Sequence, residues 1–188
     1  MTTEPRTEPP PRPERRSVPS IVVVNTGDGK GKSTAAFGVA LRALARDWRV
    51  AVVQFIKSGR WRTGEEAMLR KLGADWWTLG DGFSWESDDL DASRARAEAA
   101  WRHTLSLLAA GEHHLVVLDE ITYPMNWGWI DTAEVVAAIR DRSPVTNVVC
   151  TGRDAPAALC DLADTVTEMR KVKHAYDRGI MARRGIEY

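Results

Sequence analysis

Between Asn25 and Gly38 the chain reads NTGDGKGKSTAAFG, which packs three glycines, two lysines and a serine into the seven residues Gly27 to Ser33. Glycines let successive backbone N–H groups converge on anionic oxygens, and a helix starting just after them adds partial positive charge at its N-terminus. Lys32 supplies a full positive charge and Ser33 a hydroxyl for Mg²⁺, so the chemistry on offer is the holding of phosphates. The usual spacing G-x-x-x-x-G-K-[ST] asks for glycine at position 26, where this chain has Thr26, and Gly27 stands one residue too close. The shortened loop leaves open which way a nucleotide lies along it.

A second candidate is LVVLDE, Leu115 to Glu120. Acids at the end of a buried strand downstream of a phosphate loop are where P-loop proteins hold Mg²⁺, directly or through water. Asp119 and Glu120 alone would suit a solvated strand end; paired with the loop they point to nucleotide and Mg²⁺ binding. The same pair could polarise water, so hydrolysis and phosphoryl transfer stay open at this level. Arg153, in TGR at another strand end, suits a phosphate oxygen by position and charge, or else a structural ion pair.

These groups need a scaffold that brings strand ends together, and the patterning supplies one. IVVVN, RVAVVQFIK, ADWWTL, HLVVLDEI, NVVCTG and DTVTEM read as strands, the most apolar of them as strands covered on both faces. Between them fall helical patterns: Lys32 to Arg46 with Phe37, Leu41 and Leu44 on one face, a helix opened by Thr63 and Glu66 and closed by Gly73, Asp91 to Ala110 closed by Gly111, one opened by Asp131 and Glu134, and one starting at Pro156. Strand–helix alternation predicts a single α/β domain of P-loop NTPase type, a mostly parallel sheet with helices on both faces and its ligands beyond the carboxyl ends of the strands.

Composition bounds the partners. The chain has 188 residues, enough for one domain, and its 26 Lys+Arg balance 26 Asp+Glu, so no global field draws it to nucleic acid or an anionic membrane. No apolar run reaches the length of a membrane helix and no signal-peptide core is present, which predicts a cytoplasmic protein. Cys150 and Cys160 lack metal-ligand spacing and read as buried free thiols. Residues 1–19, rich in Pro, Glu and Arg, read as a disordered leader before a domain over 20–188.

Taken in order, TGDGKGKSTAAFGVALRALA, VAVVQFIKSG, GFSW, VVLDEI, TGRDAP and VKHAYDRGIMARRGIEY resemble the ATP:corrinoid adenosyltransferases of the cobalamin pathway, the type acting on cob(I)yrinic acid a,c-diamide or cob(I)alamin. The resemblance spans about Val22 to Tyr188. It implies a nucleotide reversed along the loop, so that the adenosyl 5′-carbon rather than the γ-phosphorus faces the reacting partner. A Co(I) corrinoid then attacks that carbon and triphosphate leaves. It implies that Gly29, Lys30, Gly31, Lys32, Ser33 and Thr34 contact phosphates of ATP, with Gly27 and Asp28 completing the loop, Arg153 assisting, and Ser33, Glu120 and Asp119 around Mg²⁺. Relatives often carry Asn where this chain has Asp28; a carboxylate facing a polyphosphate would be repelled, so Asp28 is expected to point away, cap the turn or meet a cation.

The resemblance also places Phe83 and Trp85 of GFSW under the corrin ring, where bulky side chains replace a lower cobalt ligand and ease reduction of Co(II). It implies a homodimer fed with reduced corrinoid by a flavoprotein. Of the eight tryptophans, Trp48, Trp76, Trp77 and Trp101 read as core, while Trp127 and Trp129 fit either core or site. ESDDLD, Glu86 to Asp91, reads as acids favouring a helix start rather than a metal site, and His174 as a hydrogen-bonded structural residue. Two rivals remain at this level: an ATPase or kinase releasing ADP, and a non-catalytic, nucleotide-gated corrinoid-binding protein.

Overall fold

A computed structural model of the chain describes residues 14–58, 63–80 and 90–187. Six strands, β1 (Val22–Thr26), β2 (Val50–Ser58), β3 (Asp75–Gly80), β4 (Leu115–Asp119), β5 (Asn147–Thr151) and β6 (Thr165–Glu168), form one sheet in the order β3-β2-β4-β5-β1-β6. Every neighbouring pair is parallel. The helices are α1 (Lys32–Leu44), α2 (Gly64–Lys71), α3 (Leu90–Ala110), α4 (Thr122–Asn126), α5 (Thr132–Arg140) and α6 (Ala157–Leu162).

The period of two along each strand divides the core between the faces of the sheet. Val22, Val24, Ala51, Val53, Val116, Leu118 and Val148 pack with residues of α3, α5 and α6. Val50, Val52, Leu115, Val117 and Val149 face the other way, against Ala36, Phe37, Ala40 and Ala43 of α1 and Leu69 of α2. The buried stripe of α1 therefore runs through small residues, which let the helix approach the sheet closely. This corrects the expected Phe37–Leu41–Leu44 face: Leu41 lies outside it, 50% exposed.

Helix starts follow the sequence signals. Thr63 Oγ1 accepts from Glu66 N at 3.3 Å and Asp131 Oδ1 from Glu134 N at 2.9 Å, satisfying amides that a first turn leaves without partners. Pro156 stands at the cap before α6 rather than within it. Trp76 and Trp101 are core and Trp77 is half-buried, but Trp48 is 40% exposed and stacks on His114 at 5.7 Å. Cys150 is buried, which pushes its thiol up to about 12; Cys160 is only half-buried, correcting the reading of two buried thiols. Among the described residues no helix is long and apolar enough to cross a membrane.

Parallel order puts the carboxyl ends of β1, β4 and β5 side by side, with β5 between the other two. The loop after β1, the acids after β4 and the 152–156 turn after β5 thus meet at one end of the sheet, as open α/β sheets arrange their ligand crevices.

Candidate active site

The phosphate loop leaves β1 at Thr26 and closes on α1 at Lys32. Gly27 and Gly31 have φ of +90° and +110°, a region that disfavours side chains, and a Cβ on Gly27 or Gly29 would come within 2.6–2.7 Å of the Met169 carbonyl oxygen. Gly29 N donates to that oxygen at 2.5 Å, so the turn after β6 braces the loop from outside. Lys32 Nζ donates to the Gly27 and Gly29 carbonyls at 2.6 and 2.7 Å, curling back over the loop it belongs to. Partial burial lowers its pKa, Arg153 adds to the effect, and Asp28, Glu120 and Asp154 oppose it. No side chain caps the start of α1, leaving its first amides to a ligand. Thr34 is exposed and lines a groove with Phe37, Met68 and Ile186 beside the loop.

At the end of β4 the two acids have different surroundings. Asp119 is fully buried and its oxygens are already engaged: Oδ1 accepts from Thr151 Oγ1 at 2.8 Å, and Oδ2 from Gln54 Nε2 at 2.9 Å with Lys57 Nζ at 3.5 Å. Burial alone would lower the Lys57 pKa, but the Asp119 and Glu120 carboxylates outweigh it and the net shift is upward. Glu120 has φ of +65°, where a non-glycine residue carries strain. Its N–H donates to Thr151 Oγ1 at 2.9 Å, and its Oε2 is buried without a hydrogen-bond partner among the described residues. Burial, with Asp119 adding, pushes the Glu120 carboxyl up to about 7 against Lys57, Lys32 and Arg153. A buried acceptor short of positive charge, within the electrostatic reach of the loop lysine, suits a divalent cation.

The turn after β5 completes the crevice. Gly152 sits at φ +143°, Thr122 Oγ1 donates to the Arg153 carbonyl at 2.6 Å, and Ala155 N donates to Thr26 Oγ1 at 3.1 Å. Asn126 Nδ2 reaches the same turn at Asp154 O, 3.0 Å. The Arg153 side chain is exposed, with Nη1 4.0 Å from Asp28 Oδ1. Of the three expectations for Asp28, the structure favours the cation. Beside Glu120, Tyr123 stands 5.6 Å from Trp127 between ring centroids, and Trp127 is 4.6 Å from Trp129; all three are half-buried against the core. Tyr123 has its hydroxyl pKa raised by burial and by Glu120.

The structure thus gathers Gly27 to Ser33, Asp119, Glu120 and Arg153. Phe83 and Trp85 lie outside the described residues, as does most of the Glu86 to Asp91 acidic run. His174 accepts from Tyr176 N at 3.0 Å through Nδ1, in keeping with a structural role. Sequence reasoning passed over Gln54, Lys57, Thr122, Thr151 and Met169, all of which support the site. One signal was available: Gln54 is a lone polar residue inside the apolar run VAVVQFIK.

Comparison with known proteins agrees with this geometry. The family model for ATP:corrinoid adenosyltransferase BtuR/CobO/CobP matches residues 19–188. The chain is 44% identical over 168 residues to the corrinoid adenosyltransferase CobA of Salmonella typhimurium, covering 89% of this chain and 85% of the relative. It is 43% identical over 177 residues to the corrinoid adenosyltransferase of Pseudomonas aeruginosa, covering 93% and 87%. Among solved structures, the flagellar accessory protein FlaH of Methanocaldococcus jannaschii aligns over 80% of this chain and 71% of its own, with TM-score 0.51 and 12% identity, a likeness of fold alone. With a shortened phosphate loop beside a buried glutamate carboxyl, and a family match over nearly all of its length, the chain belongs to the ATP:corrinoid adenosyltransferases.

Proposed function

We propose that the protein transfers the 5′-deoxyadenosyl group of ATP to the Co(I) centre of a corrinoid and releases inorganic triphosphate. The observation that carries the reading is the loop from Gly27 to Ser33 set against Glu120 in a chain of this family. The cobalt electron pair forms the Co–C5′ bond, the C5′–O5′ bond breaks, and its pair leaves on the triphosphate. No proton need move, so the mechanism asks for no general base. Charge grows on the leaving triphosphate, and groups that interact more strongly with it then than before lower the barrier. The groups proposed for this role are Lys32, the amides of Gly31, Lys32 and Ser33, and Arg153. Binding phosphate requires Lys32 Nζ to exchange the Gly27 and Gly29 carbonyls for phosphate oxygens.

Mg²⁺ fits the donor set: Glu120 and Ser33 would hold it directly, and Asp119, whose oxygens are engaged, would act through water. Bound there, the ion would neutralise part of the polyphosphate charge. Phe83 and Trp85 are assigned to the lower corrin face. Replacing either with Ala is then expected to slow reaction from Co(II) more than from chemically prepared Co(I); equal losses would remove the assignment.

A homodimer is part of the same reading. All four residues of β6 are exposed, unusual in a parallel sheet, and Val172, Tyr176, Met181 and Ile186 beyond it are at least 77% exposed, which supports burial against a second copy. The chemistry also needs an electron donor, for which a flavoprotein is proposed, and a cytoplasmic setting. The test is anaerobic incubation with MgATP and Co(I) corrinoid. Adenosylated corrinoid with stoichiometric triphosphate is expected; ADP and phosphate without a Co–C bond would mean an ordinary NTPase, a reading the family match does not favour.

A further inference from the structure

Alternation along β2 sends Val50 and Val52 toward α1, and Ala51, Val53 and Phe55 toward α3. Ile56 breaks the pattern by joining the α3-side core next to Phe55. The register of β2 against β3 shifts at the same place, between Gln54 and Ser58. Gly80 makes room for the irregularity, because a Cβ there would come within 2.5–2.6 Å of the Ile56 and Phe55 carbonyl oxygens. A bulge beside a site re-aims the side chain that follows it. Strict alternation would send Lys57 toward α3; instead its Nζ lies 5.9 Å from the ring centroid of Phe37 in α1 and 3.5 Å from Asp119 Oδ2.

Asp119 and Glu120 bring two carboxylates to one buried strand end, an arrangement that is costly unless a cation answers it. Lys32 Nζ is held by the Gly27 and Gly29 carbonyls, and Arg153 lies exposed beside Asp28. Among the described residues, Lys57 alone comes within ion-pair range of either acid. Its side chain is only 24% exposed, and Glu120 is within its electrostatic reach. We infer that Lys57 is a positioning residue for the metal: in the nucleotide-free protein it stands in for the divalent cation and keeps a bare ion off the acids, so that metal enters with the nucleotide. A bare ion meets the repulsion of Lys57 in full, whereas one carried on a polyphosphate arrives with a net negative charge that Lys57 attracts. The inference rests on the Mg²⁺ site proposed at Glu120.

Mn²⁺ is titrated by electron paramagnetic resonance into the full nucleotide-free chain and its Lys57→Met, Lys57→Gln and Lys57→Arg variants. Asp119 keeps its Thr151 and Gln54 donors in each, and Lys57→Gln, which retains a donor of its own, carries the test should Lys57→Met fail to fold. Expected are at least tenfold tighter Mn²⁺ binding in the two neutral variants and affinity within about twofold of wild type in Lys57→Arg, since a charge this close to the acids is weakly screened. A merely structural lysine would leave Mn²⁺ affinity unchanged or lower it, so affinity unchanged within twofold, or weaker, in the neutral variants overturns the assignment. MgATP affinity, read by calorimetry, should not rise with it; an equal gain there would deny selection against the bare ion. Adding Glu120→Gln separates this inference from the reading beneath it. Loss of the gain in Lys57→Met/Glu120→Gln supports both, and a gain that persists removes the metal from Glu120 and the inference with it. Weaker Mn²⁺ binding in Glu120→Gln alone, with no gain in the Lys57 variants, sinks the role of Lys57 and leaves the metal site standing.

Discussion

Glu120 is the residue at which folding and function are most plainly opposed, and replacing it with Gln in the metal-free protein separates the two. Its carboxyl titrates at about 7 in the folded chain against 4.5 for an unperturbed glutamate, because burial and the neighbouring Asp119 both disfavour the charge. A folded pKa above the unfolded one stabilises the fold only where the group stays protonated, so this contribution is present at low pH and lost as pH rises through 7. Each unit of pKa difference corresponds to about 1.36 kcal/mol, so the ionised Glu120 costs about 3 kcal/mol near pH 8 and under about 1 kcal/mol near pH 5. Gln has nearly the same shape and does not titrate. It also keeps the left-handed backbone at position 120, leaving that strain common to both proteins.

Urea denaturation of wild type and Glu120→Gln at both pH values reads the difference directly. The variant's advantage is expected to grow by about 2–3 kcal/mol from pH 5 to pH 8, which in thermal melts corresponds to roughly 4–12 °C for a chain of this length. Any hydrogen bond that the amide gains or loses is the same at both pH values and drops out of the comparison. A stability difference independent of pH would refute the claim that position 120 holds a carboxylate short of positive charge, and with it the argument for a cation there. Mg²⁺ with a nucleotide should remove most of the wild-type penalty above pH 7 and leave the variant little changed.

Other expectations follow from single contacts. Lys32→Ala should lower kcat/KM for adenosyl transfer by about 10²–10³, the usual worth of a donor to developing charge; near wild-type rates at saturating MgATP would deny Lys32 that role. Gly152→Ala would drive a Cβ into Thr122 at a φ of +143°, so a loss of about 2–4 kcal/mol is expected on urea denaturation, and a loss below about 0.5 kcal/mol would show that the β5–α6 turn is not held as described. Glu187→Gln releases Lys30 and should tighten triphosphate binding by up to about fivefold, the worth of an exposed ion pair; unchanged or weaker binding would mean that the pair does not compete with phosphate for Lys30.

The sheet was legible because buried parallel strands leave a strong trace. VAVV and LVVL are apolar at every position, since both faces of β2 and β4 are covered. Helix faces were less legible. In α1 the largest apolar residues marked the stripe only in part: Phe37 is buried and Leu44 packs beside the core, but Ala36, Ala40 and Ala43 complete the buried face because their size suits close approach to the sheet, while Leu41 is half exposed. The one-turn helix α4 left no periodic signal in five residues.

In the site, residues that meet a ligand directly were readable and those that hold them were not. Lys32, Ser33 and Glu120 belong to local motifs, so their spacing along the chain carries the information. Thr151, Gln54 and Lys57 act on Asp119 from other strands, and only the order β2-β4-β5 brings them to it. That difference explains why two adjacent acids in LDE have opposite fates. Asp119, the last residue of β4, is buried and consumed by its neighbours' donors; Glu120, one residue on, takes the left-handed turn and keeps an oxygen without a partner among the described residues. Asp119 therefore fixes the strand end from which Glu120 departs, and removing its charge should disturb Glu120 through Lys57. In an Asp119→Asn variant Lys57 loses its nearest carboxylate and is freed to pair with Glu120, so the Glu120 carboxyl should titrate below 7, both because a repelling charge is gone and because a cation is released.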